Sequence, residues 1–182
     1  MQVVSRAEAV ARVRAACDAR DAGADIVIVA RSDARSAISL DEALWRAAAF
    51  ADAVRCSSHS AHATLSKPLA QGADAVFVDA LRSEDDMRRF CAATPAHVPK
   101  MANMLEGGAT PICTPAQLQD MGFKIVAYPL SLLGVSIAAM ESALVSLRTG
   151  ELPGPAALPT FSHIQEVVGF NEYYEEEAKY RA

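Results

Sequence analysis

Residues 22–31 read AGADIVIVAR, and residues 71–80 read QGADAVFVDA. Each copy follows a helix-like stretch and contains a Gly-Ala-Asp, a short apolar run and a charged residue at its end. A repeated helix–strand unit whose strands lack polar alternation is typical of a parallel α/β sheet, which is buried on both faces. In such folds the chemistry lies at the carboxyl ends of the strands, and Arg31 and Asp79 stand there.

Helix-start signals extend this unit along the chain. Ser or Thr followed three residues later by an acid or amide is the signature of a capping box, in which two side chains satisfy free backbone N–H groups. The boxes are Ser5/Glu8, Ser39/Glu42, Ser83/Asp86 and Thr114/Gln117. We predict helices at about 6–21, 40–53, 83–93, 115–121 and 131–148, and strands at Ile26–Ala30, Ala75–Ala80, Lys100–Met104 and Lys124–Pro129. Consecutive βα units with right-handed crossovers give a parallel sheet.

The carboxyl-terminal part has a different character. Pro153, Pro155 and Pro159 indicate a linker, and a last helix is expected from about Thr160 into the acidic, aromatic stretch FNEYYEEEAKY (170–180). We therefore predict a barrel-type domain at 1–150, followed by a linker and helical arm at 151–182.

One stretch interrupts the repeat. Residues 54–71, VRCSSHSAHATLSKPLAQ, have no periodicity, and without them the first helix–strand junction is copied almost residue for residue at the second. We interpret them as a loop inserted between a helix and its strand. Cys56, His59 and His62 have a loosely metal-like spacing, but a solvated polar loop is the favoured interpretation, because such ligands lack supporting contacts.

Composition limits the function classes. The chain has 182 residues, 52% of them hydrophobic and 21% charged, and a net charge of -5. This excludes a basic nucleic-acid surface. No apolar run reaches a membrane span, although 125–140 comes closest, and no signal or transit peptide is evident. Four cysteines without paired spacing favour free thiols. We predict a soluble intracellular protein, of the cytoplasm or a plastid, that contacts neither nucleic acid nor membrane.

Several motifs occur together in one order. They are VARSDAR (29–35), GADAVFVDA (72–80), PKMANMLEGGATPICT (99–114), FKIVAYPLSLLG (123–134), LPTF (158–161) and GFNEYYEEE (169–177). This series resembles the isocitrate lyase/phosphoenolpyruvate mutase superfamily, and within it the plant and algal petal death protein-like (carboxyvinyl-carboxyphosphonate phosphorylmutase-like) branch. The resemblance covers the chain except for 54–71.

The resemblance implies a (β/α)8 TIM barrel that binds Mg²⁺ and makes or breaks C–C or P–C bonds of 2-oxo or 2-hydroxy di- and tricarboxylates through an enolate. By the same resemblance, the first strand here is the family's fifth. The family's acidic metal ligands and its Lys-Cys-Gly-His loop then have no counterpart in this chain. We therefore expect a partial barrel of α/β class, with four carboxyl-terminal βα units and a helical arm, without metal ligands of its own.

The resemblance also assigns candidate site residues. Arg31 would bind a substrate carboxylate, and Asp79, where the family usually has Glu, would orient Arg31 or a substrate hydroxyl. The alternatives are a structural ion pair of Arg31 with Asp33 or Asp79, and a cap of the next helix by Asp79. Substrate-binding roles are implied for Asn103, Glu106 and Leu130; Asn103 and the loop of Glu106 could instead be turn residues, and Leu130 could be core.

By this resemblance, the full-length relative would be a Mg²⁺-dependent carbon–carbon lyase or hydrolase of oxaloacetate-, malate- or methylisocitrate-like acids, with this chain supplying the carboxylate-binding half. The alternative is a non-catalytic, truncated fragment that requires a partner chain. An unrelated phosphate-binding barrel half is disfavoured, because no Gly-rich loop follows the last strand. In the family the terminal helices reach a neighbouring subunit, so we expect a homo-oligomer anchored by Phe170, Tyr173 and Tyr174.

Overall fold

The computed structural model describes residues 2–52, 72–151, 153–154 and 158–181. The chain divides into two compact units, Met1–Leu132 and Leu133–Ala182, and each is described by itself. The first carries the predicted βα repeat, and the second is helical.

Four parallel strands form the sheet of the first unit in the order β1-β2-β3-β4. This confirms the predicted α/β fold class. The strands are β1 (Val29–Ser32), β2 (Ala75–Val78), β3 (Lys100–Asn103) and β4 (Ile125–Ala127). The helices are α1 (Arg6–Asp21), α2 (Ala34–Ala37), α3 (Leu40–Ala51), α4 (Glu84–Ala93) and α5 (Pro115–Met121), and α6 (Ser131–Arg148) follows the last strand.

The helix starts are correct, but only one predicted capping box is complete. In all four cases the Ser or Thr hydroxyl accepts the backbone N–H of the third helical residue. The return bond, from the acid or amide to the N-cap backbone, forms only between Gln117 and Thr114. Glu42 and Asp86 instead accept hydrogen bonds from arginine side chains. Ion pairing between helices thus replaces half of the box.

The first strand begins later than the sequence predicts. We expected it at Ile26, but the ladder begins at Val29, and Ile26 and Val27 are exposed. β1 is an edge strand, so its apolar residues have a neighbouring strand on one side only. The predicted last helix is also divided, into α7 (Phe161–Val167) and α8 (Phe170–Ala178), because Gly169 between them has a φ of 84°.

The two faces of the sheet have different surroundings. We call the face that carries Ala30, Ser32, Val76, Val78 and Ala102 the helix face, since these residues are buried and helix α3 packs on β1 and β2. We call the opposite face the open face. By strand register it carries the following eight residues: Val29, Arg31, Ala75, Phe77, Met101, Asn103, Ile125 and Ala127.

Two helix–strand junctions share a glycine with positive φ and a hydrogen bond from the next residue back to the helix, across very different sequence spacings. After α1, Gly23 has a φ of 111°, and the next residue, Ala24, donates to the carbonyl of Ala19 at 3.3 Å. After α3, Gly72 has a φ of 85°, and Ala73 donates to the carbonyl of Phe50 at 3.0 Å. The first is a glycine-capped helix end of the Schellman type. In the second, Asp52 is the C-cap of α3, and the bond from Ala73 brings Gly72 and Ala73 to the end of that helix although 19 residues lie between Asp52 and Gly72.

The predicted insertion, 54–71, lies outside the described residues, as do Cys56, His59 and His62. The junction on either side of it is described, and it supports the interpretation as an insertion. If residues 54–71 are removed, Ala73 becomes the fifth residue after Phe50, which is the spacing between Ala19 and Ala24 in the first copy.

The second unit presents apolar side chains. Within the described residues, α6 alone is long and apolar enough to cross a membrane by length and composition, and none of its residues is buried. The bounds of α6 are those predicted from the sequence, 131–148, but the expectation that no apolar run reaches a membrane span is corrected by the length and composition of this helix. In α8 the ring centroids of Phe170 and Tyr174 are 5.9 Å apart. Assembly through this arm stays a prediction.

We expect deletion of residues 54–71 to preserve or raise the melting temperature. The shortened chain has the α1 junction sequence at α3, and closing a shorter loop gains on the order of 1–2 kcal/mol. Differential scanning calorimetry of the deletion variant against the full chain measures this. A lower melting temperature would show that 54–71 stabilises the fold.

Gly72→Ala should destabilise the chain more than Gly23→Ala. Both positions have positive φ, which costs an L-residue about 1–2 kcal/mol. A Cβ on Gly72 would also lie 2.3 Å from the carbonyl oxygen of Ala51, whereas a Cβ on Gly23 meets nothing within 4 Å. Urea unfolding of both variants gives the comparison. Equal losses would mean that the close contact with Ala51 adds nothing to the cost of the positive φ, and would contradict the prediction.

Candidate functional site

Three predicted site residues lie at the carboxyl ends of neighbouring strands. Arg31 lies in β1 opposite Phe77, Asp79 directly follows β2, and Asn103 ends β3. Alternation along the strands places all three on the open face. Strands are spaced by about 4.8 Å and rise about 3.3 Å per residue. Arg31 is level with Met101, and Asn103 lies two residues further along β3, so the backbones of Arg31 and Asn103 are ~12 Å apart. A di- or tricarboxylate has the dimensions to reach both.

Arg31 is held between two carboxylates. Its Nη2 donates to Asp33 Oδ1 at 2.7 Å and to Asp79 Oδ2 at 2.8 Å, and its Nε lies 3.2 Å from both oxygens of Asp33. The guanidinium carbon also lies 5.3 Å from the centre of the Phe77 ring. Among the described residues, no group accepts a hydrogen bond from Nη1. Half of the Arg31 side chain is exposed, so this nitrogen is available to a ligand.

The charges of this cluster do not cancel. Hydrogen bonding to Asp33 is the largest cause that raises the pKa of Arg31 above its ordinary value, and the charge of Asp79 adds to it. One guanidinium with two carboxylates leaves a net charge of about −1. Sequence reasoning treated Asp33 only as a structural partner. The structure gives it more contacts to Arg31 than Asp79 has.

Backbone strain lies next to the cluster. Ala80, directly after Asp79, has a φ of 56° and is the single non-glycine residue with positive φ in the described ranges. An alanine there costs of order 1–2 kcal/mol. Retained strain of this kind is found where the surrounding structure must aim a functional side chain. The backbone N–H of Asp79 also donates to the carbonyl of Ser32 at 3.0 Å, which ties the end of β2 to β1.

A second, more buried ion pair links the same two loops. Asp86, at the start of α4, accepts from Arg35 Nε at 2.8 Å and from the backbone N–H of Arg82 at 3.0 Å. Burial alone would raise the pKa of Asp86, but these hydrogen bonds outweigh it and hold the pKa below its ordinary value. Arg35 lies in α2, directly after the Arg31 strand. The pair therefore fixes the spacing of the loops that carry Arg31 and Asp79.

The other predicted site residues are Asn103, Glu106 and Leu130. Asn103 is half-buried, and its amide has no hydrogen-bond partner among the described residues. Glu106 accepts a hydrogen bond from the hydroxyl of Ser131, which is the main reason that its pKa is lowered. No described contact joins Glu106 to the Arg31 cluster. Leu130 is 43% exposed, so it is not a core residue here.

The described residues do not fit a resident metal ion. They contain no group of three or more His, Cys, Asp or Glu side chains that could hold one. Asp33 and Asp79 are also both committed to Arg31. Cys17 and Cys113 are buried free thiols, and burial is the main cause that raises the pKa of Cys91, to about 11. None of these three thiols has the lowered pKa of a nucleophile.

Known proteins share this sequence and this fold. 2,3-Dimethylmalate lyase of Eubacterium barkeri is 30% identical over 181 residues, covering 98% of this chain and 55% of that protein. 2-Methylisocitrate lyase of Salmonella typhimurium strain LT2 is 37% identical over 80% of this chain and 42% of its own length. Petal death protein of Dianthus caryophyllus is 30% identical over 85% of this chain and 44% of its own. No family model matches the chain.

Solved structures agree with these relatives. A crystal structure of oxaloacetate acetylhydrolase has a TM-score of 0.81 at 28% identity and covers all of this chain and 57% of its own. The triclinic crystal form of 2,3-dimethylmalate lyase, described as a PEP mutase/isocitrate lyase superfamily member, has a TM-score of 0.78 at 30% identity and covers 98% of this chain and 57% of its own.

By sequence and fold, the chain is homologous to the PEP mutase/isocitrate lyase superfamily. This confirms the resemblance predicted from the motifs. The chain spans about half the length of the curated relatives it matches. The four-stranded sheet is accordingly half of a TIM-barrel-type fold. The relatives include lyases of dimethylmalate and methylisocitrate, so the superfamily homology is to carbon–carbon lyases.

Asp86→Asn should weaken the dependence of the free energy of unfolding on pH in the acidic range. The folded pKa of Asp86 lies below its unfolded value, so the stabilisation is complete above about pH 4 and is lost as the pH falls through the folded pKa. At pH 7 the variant should be less stable by about 1–2 kcal/mol, and the difference should vanish at low pH. Urea unfolding from pH 2 to 7 measures both, with Asp85→Asn as the exposed control. A loss that does not change with pH would contradict the assignment.

Proposed function

We propose that this chain forms the carboxylate-binding half of the active site of a carbon–carbon bond lyase or hydrolase. The substrate class is a malate-, oxaloacetate- or methylisocitrate-like acid, and the reaction passes through an enolate. The observation that carries this proposal is the Arg31–Asp33–Asp79 cluster at the carboxyl edge of the sheet, with Asn103 on the same face. Homology to lyases named for 2,3-dimethylmalate, a dicarboxylate, and 2-methylisocitrate, a tricarboxylate, supports it.

Arg31 is the carboxylate-binding residue of this proposal. Asp33 and Asp79 hold two of its nitrogens, which fixes the guanidinium plane before a ligand arrives. Its remaining nitrogen, Nη1, can then bind an anion through its two N–H donors without the cost of ordering a free side chain. Asn103 offers an amide donor two strands away, suited to a second carboxylate.

The net negative charge of the cluster limits what these residues do alone. A dianionic substrate meets one arginine and two carboxylates, and an enolate adds further negative charge during the reaction. Stabilising it requires positive charge or fixed donors aimed at the oxygen on which charge develops. In the family this is the role of Mg²⁺, whose ligands do not occur among the described residues. We propose that those ligands lie outside them, and we assign this chain's residues to binding and orientation.

A second function is favoured by one observation. Two apolar residues of the open face, Val29 and Ile125, are exposed. Such a surface, together with the lack of a metal-ligand group among the described residues, fits a non-catalytic fragment that depends on a partner chain. Turnover of oxaloacetate or 2-methylisocitrate by the purified chain separates the two functions, because the fragment should give none.

Arg31→Lys should weaken dicarboxylate binding about ten- to hundredfold. A charge-assisted hydrogen bond is worth roughly 1.5–3 kcal/mol, and a lysine cannot reproduce the planar fork that two aspartates hold. Calorimetric titration of the full chain with oxalate and malate measures the effect. The matched control is Arg89→Lys, an equally exposed arginine that pairs with Asp41 at 2.8 Å outside the site. Equal affinities for the parent and Arg31→Lys would make Arg31 a structural residue.

A further inference from the structure

The loop that follows β2 is anchored on both sides of Ala80. Before Ala80, the backbone N–H of Asp79 donates to the carbonyl of Ser32 at 3.0 Å. After it, the backbone N–H of Arg82 donates to the carboxylate of Asp86 at 3.0 Å. One anchor ties the loop to the end of β1, and the other ties it to the first turn of α4. The backbone of Ala80 is therefore held by two independent elements.

The conformation between these anchors is strained. Ala80 has a φ of 56°, in the left-handed region where the Cβ of an L-residue crowds the following carbonyl oxygen. Such a conformation persists only where the surrounding structure imposes it. Leu81, the next residue, is 3% exposed and lies in the hydrophobic core, so it adds a third constraint. If an anchor is lost, Ala80 can relax to a negative φ, and this rotation turns Asp79 relative to α4.

Asp86 is itself held in place. Its side chain is 10% exposed, its backbone N–H donates to Ser83 Oγ at 3.1 Å, and its Oδ2 also accepts from Arg35 Nε at 2.8 Å. In a complete capping box, this carboxylate would accept the backbone N–H of Ser83. It accepts the N–H of Arg82 instead, which lies outside the helix and in the loop. A side chain in position to cap α4 thus holds the loop after β2.

The direction of the Asp79 side chain matters because Asp79 holds Arg31. Oδ2 of Asp79 accepts from Nη2 of Arg31 at 2.8 Å. Asp33 holds the same guanidinium through Nε and Nη2, and two carboxylates restrain it more than Asp33 alone. Among the described residues, no hydrogen bond joins Asp86 to Arg31. An effect of Asp86 on Arg31 therefore passes through the loops between them.

We propose that Asp86 is a positioning residue for Arg31 and acts through the loop after β2. By holding the N–H of Arg82, Asp86 keeps Ala80 in the left-handed conformation. That conformation directs the Asp79 carboxylate to the guanidinium. The consequence for carboxylate binding rests on the proposed function, whereas the conformation of the loop does not. If Asp86 contributed to overall stability alone, a folded Asp86 variant would keep the loop unchanged.

NMR spectroscopy of the full chain tests the loop conformation without a ligand. The Cα and Cβ chemical shifts of Ala80 report the sign of its φ. Asp86→Ala removes the acceptor, so these signals should move to values typical of negative φ. The milder variant Asp86→Asn keeps an amide oxygen and should move them less. Phe90→Leu, a core change in the same helix, and Asp85→Asn, an exposed charge change, should leave them in place. Ala80 signals that stay unchanged in both Asp86 variants, or that move as far in the controls, would overturn the proposal.

Urea unfolding tests the strain itself and needs no Asp86 variant. Ala80→Gly should raise the urea midpoint of the full chain, because glycine adopts a positive φ without strain. The matched control is Ala22→Gly, since Ala22 is exposed and has a φ of −75°. There the same substitution should lower the midpoint. A midpoint for Ala80→Gly at or below that of the parent would mean that the anchors hold no strain, and would overturn the proposal.

Glycine rescue tests the link to the ligand. Asp86→Ala should weaken oxalate binding about tenfold in calorimetric titration, a coupling typical of one hydrogen-bond network. In an Ala80→Gly background the same change should have little effect, because the left-handed conformation no longer needs an anchor. Phe90→Leu should lower the melting temperature and leave the affinity unchanged, which separates positioning from stability. Equal losses of affinity in both backgrounds would overturn the role of Ala80. A parent chain that binds neither oxalate nor malate would refute the proposed function, and Ala80 signals that respond only to the Asp86 variants would still support this inference.

Discussion

The carboxyl edge of the sheet depends on two ion pairs that link the same two loops. Arg35 and Asp86 form the buried pair, and Arg31 and Asp79 form the exposed one. The buried pair fixes the spacing between the β1 and β2 loops, while the exposed pair keeps part of its arginine available. An anion site requires an arginine that is accessible but already held in place, since binding then orders little new structure. The buried pair supplies the rigidity, and the exposed pair supplies the accessible arginine.

Much of the fold follows from local signals in the sequence. A hydroxyl three residues before a helical N–H and a glycine at the helix end act over a few residues, so Ser5, Thr114 and Gly23 could be interpreted without a structure. The late start of β1 could not be predicted, because it reflects a missing neighbour and not local preference. The incomplete boxes likewise result from Arg6 and Arg35, which reach Glu42 and Asp86 from distant parts of the chain.

The candidate site likewise has features that could be predicted from the sequence and features that could not. Arg31 and Asp79 were predicted to lie together because strand ends in a parallel sheet meet at one edge, and they form an ion pair. Asp33 was undervalued, since its proximity to Arg31 depends on the turn into α2, which is too short to leave a periodic pattern. The bond from Ser131 to Glu106 joins the first residue of α6 to the loop after β3 and has no local sequence signal.

Binding a substrate and completing the chemistry are separate requirements. The Arg31 cluster carries one guanidinium and two carboxylates, so its net charge at the carboxyl edge of the sheet is negative. Arg31 can still hold a carboxylate through the nitrogen that neither aspartate occupies, yet the cluster has no surplus positive charge for an enolate. Stabilising an enolate requires a cation or fixed donors aimed at the oxygen on which charge develops. The cluster is therefore suited to binding and orientation, and it does not by itself provide catalysis.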